Sequence, residues 1–323
     1  VIMNPKVVTQ LIVIMFIATI FTPLIAMNIS AETEVEDGWA DSTFGASDLG
    51  NMVQFVQDSN GNNHVTYWNG DSDMMYGTDA TGSWVIEEVI DGGVTESKGY
   101  LTVDSNGNPA IICASSNATP YMTGYLVVKN GESWDSFEFD DYATNQNNVG
   151  QSFGISYDSY GDLYIYFTAG RAGQTQYIYE YYGSIGNGFT KTTVTSGSVA
   201  YEALQLLVSQ DLPNLTYNVN GDAYLATFDV SWEFTQLLDG DAGSGNGYQN
   251  TMAIYDSALY FAYYNSTADA YWAMIPNGVS WDYFEIWAAD ENNFTTEHSI
   301  TVDSNGLVYV GYGIESSSPD NFI

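Results

Sequence analysis

From residue 52 onward the chain alternates apolar or β-branched residues with polar ones in short runs, and each run stops at a cluster of Asp, Ser, Asn and Gly. A period of two places successive side chains on opposite faces of an extended strand, and the interrupting residues are those that open tight turns and tolerate positive φ. Leu101-Thr102-Val103, Asp104-Ser105-Asn106-Gly107 and Pro109-Ala110-Ile111-Ile112 together spell one hairpin. The plan recurs where Asp58-Ser59-Asn60-Gly61 precedes His64-Val65-Thr66-Tyr67, Asp158-Ser159-Tyr160-Gly161 precedes Leu163-Tyr164-Ile165-Tyr166, and Asp303-Ser304-Asn305-Gly306 precedes Leu307-Val308-Tyr309-Val310.

With a degenerate Ser209-Gln210-Asp211 and a turn at Asp256, these markers start 46, 54, 51, 47 and 47 residues apart. A second series runs in phase: Trp84, Trp134, Phe189, Trp232 and Trp281, each after a Gly or Ser turn and each followed by alternating residues. The first repeat then holds four strands, near residues 52–57, 63–68, 74–78 and 84–90. Four short strands in each period of about fifty residues predict the blade of a propeller, because a sandwich shows no such regular internal similarity. The expected fold class is therefore all-β, a six-bladed β-propeller with four-stranded blades. Tyr164, Tyr166, Tyr260, Phe261, Tyr263 and Tyr309 are read as packing between blades rather than as a ligand platform, since alternate strand residues must face the next blade.

The repeat that starts at Asp303 has no Trp strand after it. Gly38-Trp39-Ala40-Asp41-Ser42-Thr43-Phe44 carries the pattern of a fourth strand 45 residues before Trp84, so an N-terminal strand is expected to close the last blade. Residues 314–323 offer little more than Asn321-Phe322-Ile323 as a third strand, which leaves a C-terminal continuation open.

Ahead of the repeats, Lys6 is followed by an apolar run over residues 7–26, densest at 11–21, and by Ile29-Ser30-Ala31 as a small-residue cleavage site. This predicts a secretory signal peptide at 1–31, an acidic linker at 32–37 and the propeller at 38–323. A retained anchor helix and a pilin-like assembly helix are the alternatives, Pro23 and the polar residues speaking against the anchor. Each of the three places the repeats outside the cytoplasm.

Composition agrees with strands and adds a charge argument. The chain has 26 Tyr, 15 Phe, 8 Trp and 31 Gly, and 40 acidic residues against five basic ones give a formal charge of -35. Such a field repels phosphates and anionic lipid surfaces, which excludes nucleic acid as a partner and leaves the membrane only through an uncleaved N-terminal segment. A single cysteine, Cys113, forms no internal disulfide and sits in an apolar run as a small buried hydrophobe. His64 and His298 each lack a second histidine at ligand spacing, so zinc is not expected.

Asn277-Gly278-Val279-Ser280-Trp281, Asn130-Gly131-Glu132-Ser133-Trp134 and Asp79-Ala80-Thr81-Gly82-Ser83-Trp84, taken with the Asp-Ser-Asn-Gly hairpins, resemble the degenerate Asp-box repeats of secreted sialidase-like β-propellers. They depart from the full Asp-box, Ser-x-Asp-x-Gly-x-Thr-Trp, in glycine spacing. The resemblance implies a monomeric propeller whose first-to-second and third-to-fourth strand turns share one face, with ligands bound on the other. Sialidases of that group hold a substrate carboxylate with three arginines, whereas this chain has one, Arg171, so that catalytic role does not carry over.

The opposite, loop-bearing face is expected to gather the candidate ligand-binding residues Asp71, Asp73, Tyr121, Arg171, Asp241 and Asp290, together with Asp140, Asp141, Asp239 and Glu291. Carboxylates paired across a pocket are what glycoside hydrolysis needs, although loop acids are also the ordinary way a chain this acidic is solvated. Calcium is the one cofactor considered: Asp-x-Asn-Gly matches part of a calcium loop, but each turn offers three or four oxygens where about six or more are required. No nucleophile elbow or phosphate loop occurs. Asn117, Asn214, Asn265 and Asn293 open glycosylation sequons. The function expected first is non-catalytic binding of an extracellular glycan or protein through the loop face. The alternatives are a polysaccharide hydrolase or lyase using the loop carboxylates, and a surface-layer or filament subunit.

Overall fold

A computed structural model of the chain describes residues 14–16, 54–69, 73–90, 99–118, 121–139, 148–170, 175–197, 201–219, 222–238, 251–265, 268, 270–278, 280–288 and 294–314. Every regular element among them is a β-strand, and no helix there is long and apolar enough to cross a membrane. β1 (Ile14–Phe16) comes from the N-terminal apolar run. β2 (Gln54–Gln57), β3 (Asn63–Trp68), β4 (Met74–Thr78) and β5 (Val85–Ile90) form the first four-stranded sheet, in chain order. The second holds β6 (Tyr100–Val103), β7 (Pro109–Ala118), β8 (Tyr121–Asn130) and β9 (Ser133–Phe139). The third holds β10 (Asn148–Tyr157), β11 (Leu163–Gly170), β12 (Gln176–Ser184) and β13 (Gly188–Gly197). The fourth is β14 (Tyr201–Ser209), β15 (Leu212–Val219), β16 (Asp222–Phe228) and β17 (Trp232–Leu238), and the fifth β18 (Thr251–Tyr255), β19 (Ala258–Asn265), β20 (Ala270–Asn277) and β21 (Ser280–Ala288). β22 (Phe294–Val302) and β23 (Val308–Ile314) make a sixth sheet with β1.

Contacts divide the chain into two compact units. The larger comprises Ser42–Asn220 and Tyr224–Thr235, hence the first three sheets and most of the fourth. Inner strands such as β3 and β11 are buried on both faces, and the alternation of side chains sorts them between neighbours. Ile165 and Phe167 of β11 join Ile112, Leu126, Phe139 and Phe153 on one side. Tyr166, between them in sequence, joins Ile178, Leu204, Leu215 and Tyr217 on the other. Between the first two sheets, Tyr76 packs with Leu101, Ile111 and Val127, and Cys113 with Trp68 and Met74. Cys113 is fully buried and burial pushes its thiol up to about 12, so it behaves as the apolar residue the sequence suggested. β10 and β14 approach so closely that a Cβ on Gly154 would lie 2.5 Å from the Cβ of Leu206 and 3.1 Å from its backbone nitrogen.

The aromatic markers serve this packing too. Trp134 meets the ring of Tyr76 edge-on at 5.4 Å across two sheets, Trp232 meets Tyr166 at 5.9 Å, and Phe189 meets Phe137 at 5.1 Å. Lys129 pairs with Glu87 while lying 5.0 Å over the Trp134 ring.

The smaller unit comprises Val1–Asp41, Gly221–Ala223 and Gln236–Ile323. Ala262, Tyr271, Ala273, Ile300, Val308 and Val310 form its core, and Trp281 donates its indole N–H to the Leu259 carbonyl at 3.1 Å. β1 pairs antiparallel with β23, Ile14 opposite Val310 and Phe16 opposite Val308. An N-terminal strand thus joins the last sheet, but from within the predicted signal segment and in the place of a third strand. Residues 38–44, expected as the fourth strand of that sheet, lie outside the described residues, as do the predicted linker and residues 315–323.

Candidate functional site

The Asp-Ser-x-Gly turns are the most regular polar feature of the molecule. Oδ1 of Asp58 accepts the backbone N–H of Asn60 and of Asn62, both at 2.8 Å, and Oδ2 accepts the Asn62 side-chain amide at 2.9 Å. Asp104 repeats this with Asn106 and Asn108, Asp158 with Tyr160 and Asp162, and Asp303 with Asn305 and Leu307. The fourth residue is glycine because its φ lies between 81° and 86° in all four copies. Burial pulls the Asp58 carboxyl up, but hydrogen bonds from Asn62, Asn60 and His64 outweigh it and hold its pKa at about 2. Burial likewise opposes, and the bonds from Asn108 and Asn106 outweigh it, at Asp104. At Asp303 the Leu307 backbone bond leads in holding the carboxyl below its ordinary value.

These carboxylates close turns. Among the described residues no group of three or more His, Cys, Asp or Glu side chains could hold a metal ion. The turns also join neighbouring sheets: Ser159 donates its backbone N–H and its hydroxyl to the two oxygens of Asp211 at 2.7 and 2.8 Å. The corresponding turns of the fourth and fifth sheets differ from the expected plan. Gln210-Asp211 and Asp256-Ser257 are two-residue turns in which both residues have positive φ, from 48° to 63°, the geometry of a type I′ hairpin without its usual glycine. His64 belongs to this turn side as well. It is 1% exposed, with Nδ1 2.5 Å from the Tyr76 hydroxyl and Nε2 3.6 Å from Oδ2 of Asp58, which links β3, β4 and the turn.

At the other ends of the strands lies the loop side. Of the six residues singled out there, Asp71, Arg171, Asp241 and Asp290 lie outside the described residues, and Tyr121 is described only through its backbone, opposite Ala118 at the start of β8. Asp73 is described, and its surroundings give it a local task. Its backbone N–H donates to Oδ1 of Asn69 at 2.9 Å, and its Oδ2 accepts from the Asn69 amide at 2.8 Å, closing the loop between β3 and β4.

Sequence reasoning missed the tyrosines that edge this side. In the larger unit, Tyr177 and Tyr179 stack at 5.1 Å and 12° where β12 begins, and Lys191 lies 4.0 Å over the Tyr179 ring. Tyr217 and Tyr224 stack at 5.6 Å and 11° across the β15–β16 hairpin. In the smaller unit, Tyr264 and Tyr271 meet at 5.5 Å across the β19–β20 hairpin, and His298 lies 5.5 Å from Tyr271 with Nε2 3.0 Å from the Ala262 carbonyl. Tyr177, Tyr179, Tyr224 and Tyr264 are half-buried. Rings presented this way combine an apolar face with a polar rim. The signal was available in the positions of Tyr at the last residues of second strands and the first of third strands, but a Tyr-rich alternation gave no reason to separate them from the core.

Five four-stranded sheets in chain order, and a sixth in which β1 joins β23 and β22, define the class of the fold, a six-bladed β-propeller. No protein-family model matches the sequence, and no characterised protein matches it in sequence. Solved structures do match in fold. AofleA from Arthrobotrys oligospora superposes with a TM-score of 0.55 at 15% identity, over 84% of this chain and 82% of that one. The fungal lectin of Aleuria aurantia, described as a six-bladed β-propeller with a novel fucose recognition mode, gives 0.52 at 16% identity over 76% and 80%. The Hadza microbial sialidase Hz136 gives 0.54 at 11% identity over 82% and 66%.

Proposed function

We propose that the protein is a secreted or cell-surface propeller that binds glycan through its loop side without catalysing its breakdown. The observation that carries this reading is the fold it shares, over 84% of its length, with the SapL1 lectin, whose structure was solved with alpha methyl fucoside, and with the Aleuria aurantia lectin. Two features of the chain itself point the same way. Half-buried tyrosines edge the loop ends of β12, β16 and β19, where a ring can stack on the C–H face of a sugar while its hydroxyl meets sugar hydroxyls. The sialidase alternative, raised by Hz136, lacks the three arginines that the resemblance calls for, since the chain has only Arg171.

The experiment is a glycan array probed with the purified protein, fucosides included, followed by titration of each hit and by an assay for release of reducing ends from the same glycans. Saturable binding with the glycan recovered intact is the expected result. Turnover of any bound glycan would move the protein to the hydrolase reading, and binding to none would refute the lectin reading.

A further inference from the structure

The charge of the chain narrows the ligand. Forty acidic residues face four lysines and one arginine, and the two described lysines are engaged within the fold. Lys129 is paired with Glu87 and covers the Trp134 ring at 5.0 Å. Lys191 lies over Tyr179 at 4.0 Å and Tyr181 at 5.7 Å.

We infer that the loop side accepts uncharged glycans and rejects those carrying a carboxylate or a sulfate. The inference rests on the glycan-binding reading and sharpens it. A surface of one sign raises a potential of several kT that repels an ion of the same sign before any contact forms. A buried sugar carboxylate would in addition need a cation beside it to offset its lost hydration. Lys129 and Lys191 already have partners, and of the two other cations after residue 38, Lys98 and Arg171, Arg171 is the one among the loop residues singled out from sequence, where Asp71, Asp73, Asp241 and Asp290 outnumber it.

The test compares array glycans in matched pairs, each neutral fucosylated, mannosylated or galactosylated structure beside the same structure bearing a sialic acid, a uronic acid or a sulfate. Affinities are measured at low and high salt, with calcium and with chelator. The acidic member of a pair is expected to bind at least about fivefold more weakly at about 20 mM salt, the gap narrowing to about twofold at about 500 mM as the field is screened, while the neutral member changes little. An acidic glycan that binds as tightly as its neutral parent, or more tightly, with or without calcium, overturns the inference and leaves the lectin reading standing. Failure of every glycan to bind refutes that reading itself.

Discussion

Replacing Gly154 by alanine isolates the contact that sets how closely the third and fourth sheets approach. The new methyl would lie 2.5 Å from Cβ of Leu206, 3.1 Å from its nitrogen and 3.4 Å from its Cα. Two of these three are backbone atoms and the third is the first side-chain atom, so no change of rotamer on Leu206 relieves the clash, and β10 must move from β14. Overpacking of this kind costs about 1–3 kcal/mol. The unfolded chain returns about 0.4–1 kcal/mol, because alanine has less backbone freedom to lose. The net destabilisation is about 1–2 kcal/mol, a fall in Tm of roughly 2–6 °C for a domain of this size. Thermal unfolding followed by near-ultraviolet circular dichroism reads it, with urea titration as the second measure. Leu206→Gly removes the atom that Gly154→Ala strikes, so in that background the alanine should cost nothing or stabilise. A Tm within about 1 °C of the parent for Gly154→Ala, or equal effects of the alanine in both backgrounds, would refute the reasoning.

Three further outcomes follow from the turns and the loop side. In the fifth sheet, Asp256→Asn with Ser257→Gly gives the type I′ turn the residues that its φ values of 48° and 63° favour, and should raise stability by about 1 kcal/mol in urea unfolding. Asp58 has a folded pKa of about 2, below its ordinary 3.8, so its contribution is complete above pH 3.8 and is lost as pH falls toward 2. Asp58→Asn should therefore lower stability at neutral pH and flatten the acid limb of the profile over that window, as followed by intrinsic fluorescence. Tyr177→Ala, at the loop end of β12, should weaken glycan binding about three- to tenfold with an unchanged far-ultraviolet spectrum, since an aromatic contact is worth about 0.5–1.5 kcal/mol.

The fold was legible because its punctuation is chemical. An Asp that caps its own turn through Oδ1 needs N–H groups two and four residues on and a glycine three on, and that demand is visible in sequence at Asp58, Asp104, Asp158 and Asp303. The two-residue turns at Gln210-Asp211 and Asp256-Ser257 were not legible as such, since neither uses the glycine that normally announces the geometry. The third strand of the last sheet was missed for a different reason. Ile14-Met15-Phe16 sits in a continuous apolar run whose pattern suits a helix or an export signal as well as a strand. On the loop side, residues were ranked by charge, and charge in a chain with 40 acids carries little positional information. The tyrosine edges were hidden by the opposite problem, because the same residue type fills the core.

Asp73 shows how the two problems meet, and it can be decided by two substitutions. As a ligand contact its negative charge would matter, and Asp73→Asn would abolish binding. As the partner of Asn69 it supplies one acceptor at 2.8 Å and one backbone donor at 2.9 Å, and an asparagine in its place keeps both, its amide oxygen taking the role of Oδ2. Asp73→Asn should then leave glycan affinity within about twofold and stability nearly unchanged, whereas Asp73→Ala removes the acceptor and should cost about 0.5–1.5 kcal/mol, the net worth of one such hydrogen bond. Titration of an array hit together with urea unfolding of both variants separates the roles. Loss of binding in Asp73→Asn at full stability would return this carboxylate to the ligand site and, with it, the case for reading the loop acids as chemistry.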